Sequence, residues 1–124
     1  MSYTAEQVKT SGGLALTGSS AAVTQATNRA TGVTIDSLIG SITTHNASLA
    51  AEASAKFTVT NSAVGIGDVV LVCIRSGNAA LNTRATVTAV ADGSFEITIV
   101  NGNVAAGTAE TGAIVINFAV IKAS

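Results

Sequence analysis

Reactive chemistry in this chain would have to start from one imidazole, one thiol and seven carboxylates. His45 stands in Thr43-Thr44-His45-Asn46, a strand end or loop. To act as a general base it would need a nucleophile and an orienting carboxylate supplied from elsewhere in the fold. An exposed turn histidine is the plainer reading. Cys73 lies within Val69-Val70-Leu71-Val72-Cys73-Ile74, the most apolar run of the chain. Burial there as a small hydrophobe is expected, not thiolate chemistry. No serine occupies a G-x-S-x-G elbow. Asp36, His45 and Asp68 stand apart, with no H-x-x-x-H or D-x-D-x-D-G spacing for a metal. Gly65-Ile66-Gly67-Asp68 has two glycines of a phosphate-cradling loop, but a dinucleotide fingerprint needs a third where Val70 stands, and a helix after it. An apolar strand follows instead, so the glycines form a turn that Asp68 helps to close. The expectation is a non-enzyme with no metal and no cofactor.

Sugar binding requires no catalysis, but it usually requires an aromatic platform. Phe57, Phe95 and Phe118 all fall on positions that strand alternation sends inward. Tyr3 is the one remaining aromatic, and it lies near the start of the chain. Nothing points to a lectin-like face.

The composition narrows the classes further. At 124 residues the chain has room for one domain. Hydrophobic residues make up 48%, enough for a core and too many for a disordered chain. Charged residues are only 10%, with a net charge of −1. Without a basic excess or cluster, neither nucleic acid nor an anionic membrane surface is expected as a partner. No stretch approaches the ~20 apolar residues of a spanning helix. The start, Met1 to Glu6, lacks the positive flank and apolar run of a secretory signal, so cytoplasmic synthesis is expected. One cysteine forms no intramolecular disulfide, and the fold must stand on packing alone.

Ala, Val, Ile, Thr and Ser dominate, a mixture suited to strands and tight turns. Ile114 to Ile121 alternates, with Ile114, Ile116, Phe118 and Val120 on one face. Residues 94–100 and 85–90 alternate as well, joined at Asp92-Gly93, the best hairpin signal present. The continuous apolar run 69–74 reads as a central strand covered on both faces. Shorter strands are expected at 56–60, 40–44, 33–35 and 22–25. Residues 47–55, rich in Ala, could make two helical turns but are too short to be stable alone, and read as a turn or short helix. About seven or eight short strands predict an all-β, antiparallel β-sandwich or jelly-roll-like fold. Residues 1–21 read as an extended N-terminal arm, with hinges at Ser11-Gly12-Gly13 and Gly18-Ser19-Ser20, and residues 22–124 as a single β domain.

Several segments, taken in order, resemble a known family. Val23-Thr24-Gln25-Ala26-Thr27, Thr31-Gly32-Val33-Thr34-Ile35 and Gly40-Ser41-Ile42-Thr43-Thr44 are followed by Phe57-Thr58-Val59-Thr60-Asn61-Ser62 and Asp68-Val69-Val70. Gly93-Ser94-Phe95-Glu96-Ile97 and Ile116-Asn117-Phe118-Ala119-Val120-Ile121-Lys122-Ala123 complete the series. Together they are similar to a family of small virion structural proteins of tailed bacteriophages, over about residues 23 to 123. The resemblance implies a part of the particle: a capsid decoration (cement) protein on the outer surface of the head, or a fibre or spike module used in host adsorption. It carries no catalytic residues. The partners it implies are the major capsid protein and, by analogy with capsid threefold positions, further copies in a homotrimer. Open edge strands would be natural places for subunits to pair. The arm lies outside the shared pattern, and its Tyr3, Val8, Leu14 and Leu16 are the candidate contacts to shell or subunit.

Overall fold

In a computed structural model of the chain, which describes residues 20–123, alternation of apolar and polar side chains resolves into eight strands. They are β1 (Ala21–Thr24), β2 (Val33–Thr34), β3 (Ile39–Thr43), β4 (Ser54–Thr60), β5 (Val69–Ser76), β6 (Thr83–Ala91), β7 (Ser94–Asn101) and β8 (Val115–Ile121). No helix occurs among the described residues. The strands form two four-stranded sheets, ordered β1-β3-β8-β5 and β2-β4-β7-β6. Their inner faces meet as a small β-sandwich, the fold that the sequence predicts.

The shared core follows directly from the period of two. On β7, Phe95, Ile97 and Ile99 are buried while Ser94, Glu96, Thr98 and Val100 stay half-exposed. On β8, Ile116, Phe118 and Val120 are buried in the same manner, continuing from Ile114. Cross-strand partners then match core to core: Phe57 faces Ile97, Val59 faces Phe95 and Ile42 faces Ile116. The two sheets touch through Phe95 and Phe118, whose rings lie 5.5 Å apart and tilted by 55°. Gly40, opposite Phe118, leaves room for that ring; a Cβ there would sit 2.9 Å from Phe118 Cε1 and 2.8 Å from Ile35 Cδ1.

The predicted hairpin is present. β6 and β7 join through Asp92-Gly93, with Ala91 opposite Ser94 and the positive φ (81°) falling on Gly93. Among the described residues it is the single direct hairpin between neighbouring strands. The first four strands instead alternate between the sheets, so β1 pairs with β3, and β2 with β4, in parallel. In each case a single strand of the other sheet intervenes, and the chain returns to its first sheet pointing the same way. The remaining pairs are antiparallel.

Two local expectations change. β5 is not a central covered strand: it pairs with β8 alone and forms an edge of its sheet. Its inward Val70 is buried, but Val69 and Leu71 are 52% and 53% exposed, and Cys73 is exposed too, against the expected burial. An apolar run looks the same in sequence whether its second face meets another layer or stands open. Residues 47–55 resolve as the turn alternative. Leu49 bridges to Glu110, a turn closes from Ala50 O to Ala53 N, Glu52 takes φ 67°, and Ser54 already begins β4.

Candidate interaction surface

The residues that could have carried chemistry are dispersed and used locally. His45 Nδ1 accepts a hydrogen bond from the Ala47 amide at 3.0 Å, and its own amide donates to Gln25 Oε1. Asp36 accepts from the Ser62 amide. Asp68 accepts from the Gly65 amide at 2.8 Å, closing the glycine turn as the sequence suggested. It also takes a salt bridge from Lys122 and a hydrogen bond from the Ala123 amide, which no local pattern announced. Lys122, with the Ala123 and Gly65 amides, holds the Asp68 carboxyl down at about 2. The result is a clasp that fastens the start of β5 to the end of β8. Among the described residues no group of three His, Cys, Asp or Glu could hold a metal ion.

Two charges that sequence reading passed over are buried at the opposite end of the sandwich. Arg29, 3% exposed, donates to the carbonyls of Ala47, Glu110 and Gly112 and to Thr44 Oγ1. Glu110, fully buried, accepts from Thr83 Oγ1 and from the amides of Ala79, Ala80 and Gly112. Burial alone would raise the Glu110 carboxyl, but these four donors outweigh it and hold it below the usual range. Burial also lowers the Arg29 guanidinium, and the nearby Glu110 charge partly offsets this. Most of these contacts tie together segments far apart in the chain, so this network is a structural clamp. A lone Arg in a polar loop and a lone Glu after a Gly-Thr-Ala stretch give no sequence signal that they will meet.

What remains is the outside of the sheets. Along β5, β8 and β3 the register sets outward residues side by side: Val69 with Ile121, then Leu71 with Ala119 and Ile39, then Cys73 with Asn117 and Ser41. Leu38, 42% exposed, adjoins this corner through its carbonyl bond to the Val120 amide. Val69, Leu71 and Ile121 thus form an exposed apolar corner on the first sheet. Monomeric proteins rarely leave such a contiguous patch open without a use for it. Two shallow grooves cross the same face, one lined by Leu71, Cys73, Asn117 and Ala119, the other by Ser20, Ile39, Ser41 and Arg75, meeting at Asn117 and Phe118.

The sheet edges are guarded by comparison. β1 and β2 are four and two residues long, and the long edge strands β5 and β6 each carry a register shift, between Ile74 and Ser76 and between Val87 and Ala89. Short or bulged edges discourage pairing with another sheet. The arm residues Tyr3, Val8, Leu14 and Leu16 lie outside the described residues. No family model matches the chain, and no curated protein or solved structure matches it.

Proposed function

We propose that the chain is a structural protein of a bacteriophage virion, a capsid decoration protein that binds the major capsid protein lattice on the outside of the head and stabilises it. The observation that carries this reading is the exposed apolar row Val69, Leu71 and Ile121 on the outer face of the sandwich. Repeated docking by shape and apolar contact needs such a face and needs no reaction chemistry. The low charge of the chain lets many copies sit close together with little mutual repulsion. The resemblance of residues 23–123 to phage virion proteins supports the same reading. In it the first sheet's outer side is the attachment side, the N-terminal arm adds contacts, and the working unit is a homotrimer built through faces and arms in preference to the guarded edges. Neither nucleic acid nor membrane takes part.

A fibre or spike module is the second reading, since the resemblance extends to such parts. Copy number separates the two. In purified particles a decoration protein is present on the order of hundreds of copies, because it follows the lattice symmetry; a fibre is present at far fewer. Quantitative densitometry of particle proteins is the test. Low copy number favours the fibre, and absence from particles overturns both. Leu71→Lys, by placing a charge in the apolar corner, is expected to abolish sedimentation with particles that lack the native protein.

A further inference from the structure

Asn101-Gly102, where β7 ends, is the one Asn-Gly pair in the chain. In a flexible chain such a pair is labile, because glycine has no side chain to keep its amide nitrogen away from the asparagine carboxamide. Here the pair is built into the fold. Asn101 is fully buried; its Nδ2 donates to the carbonyls of Leu49 at 3.0 Å and Thr108 at 2.9 Å, and its Oδ1 accepts from the Asn103 amide at 3.1 Å. The Gly102 amide donates to the Asn82 carbonyl at 2.9 Å. We propose that Asn101 is a latent deamidation site, inert while this end of the sandwich is closed and converted once it opens, after which the end cannot close again.

Two demands of the fold put the labile pair there. Two carbonyls and one amide converge on residue 101, so its side chain must offer two donors and an acceptor at once, which a short carboxamide does and a carboxylate does not. At residue 102 a Cβ would stand 2.8 Å from the Asn82 carbonyl and 3.1 Å from Arg84 Nη1, so any side chain would force the segments apart. The same contacts hold the reaction off. To close the ring, the Gly102 nitrogen loses its proton to hydroxide and attacks Asn101 Cγ. The N–Cγ bond forms, the Cγ–Nδ2 bond breaks, and Nδ2 leaves as ammonia. Water then opens the cyclic imide at either carbonyl, giving aspartate or isoaspartate. In the closed fold Asn82 holds the proton and three bonds hold the carboxamide, so all four must break first. The product does not fit back. Its carboxylate would be buried against the Leu49 and Thr108 carbonyls, acceptor against acceptor, and isoaspartate adds a methylene to the backbone. Leu49 also bridges to Glu110, so the Glu110 network keeps this end shut. The site does not depend on the virion reading, and isolated protein tests it.

The full chain is incubated in mildly alkaline buffer, with and without denaturing urea, and followed by intact mass and peptide mapping. Folded protein is expected to keep Asn101, and unfolded protein to convert it. Without urea, Glu110→Ala should convert at least about tenfold faster than the wild type, because the reaction draws on the opened population. Urea below the unfolding transition should accelerate the wild type in the same way, which serves if that variant does not fold. Once urea is removed, the converted fraction should not regain the circular dichroism of the sandwich, and Asn101→Asp should melt well below the wild type. Equal rates in folded and unfolded protein overturn the inference, as does the absence of conversion at Asn101 in urea. A converted chain that refolds to the native melting point overturns it as well.

Discussion

The two sheets present matched interiors and opposite exteriors. On the outside of β4, β7 and β6, Lys56 pairs with Glu96 at 3.5 Å, Thr88 donates to Glu96 at 2.8 Å, and Thr88 and Thr98 share a hydrogen bond. That face is a ladder of threonines and paired charges, satisfied by itself and by water. On the outside of β3, β8 and β5 the corresponding positions are Ile39, Ala119, Leu71, Val69 and Ile121. Inside, Phe95 of one sheet packs on Phe118 of the other, and both are buried. Folding makes the same demand of both inner faces, so both obey it. The outer faces are free of that demand, and the contrast between them reflects what each meets after folding. One is polar and paired within itself; the other leaves Val69 and Leu71 more than half exposed.

The contrast is sharpened by asking whether the interiors are truly equivalent. Phe95→Ala and Phe118→Ala should each cost about 3–5 kcal/mol in urea denaturation, with a coupling of ~0.5–1.5 kcal/mol in the double variant. A markedly smaller cost on one side would break the symmetry. Next in size is the clamp at the end remote from the apolar corner. Glu110→Ala leaves Thr83 and three amides without their acceptor and Arg29 without a nearby countercharge. A loss of about 3 kcal/mol is expected, with hydrogen exchange quickening first in residues 77–83 and 110–113.

The clasp at the apolar end is read through pH. The Asp68 carboxyl lies at about 2 in the folded chain against an ordinary 3.8. Its contribution is therefore complete above pH ~4 and disappears as pH falls from about 4 towards 2, since the unfolded chain takes up the proton first. Glu110, also held below its usual range, adds a loss in the same direction. Asp68→Asn should flatten part of this acid limb in thermal melts recorded between pH 5 and 2. Smallest in stability is the direct comparison of faces. Leu71→Lys and Lys56→Ala should each change unfolding by no more than ~0.5 kcal/mol. Only Leu71→Lys should abolish binding to particles; equal effects on binding would erase the distinction between the faces.

Particular residues show how far the sequence could be read. Phe57, Phe95 and Phe118, Ile114 to Val120 and the Asp92-Gly93 turn were legible, because each rests on a period of two or on the conformational freedom of one glycine. The edge position of β5 was not, since Val69 to Ile74 reads identically as a covered strand. The clamp was not, because Arg29 and Glu110 are 81 residues apart and neither sits in a motif. The Asp68–Lys122 clasp was half legible: the turn is local, and the lysine arrives from the other end of the chain.

By itself, then, the sequence determined which residues face inward and where the chain turns, since side-chain alternation and positive φ are properties of a few adjacent residues. Tertiary structure alone decided which strand lies at an edge, which distant charges meet and which outward row stays apolar and open. Those depend on pairing between segments far apart in the chain, and no local propensity encodes the choice of partner.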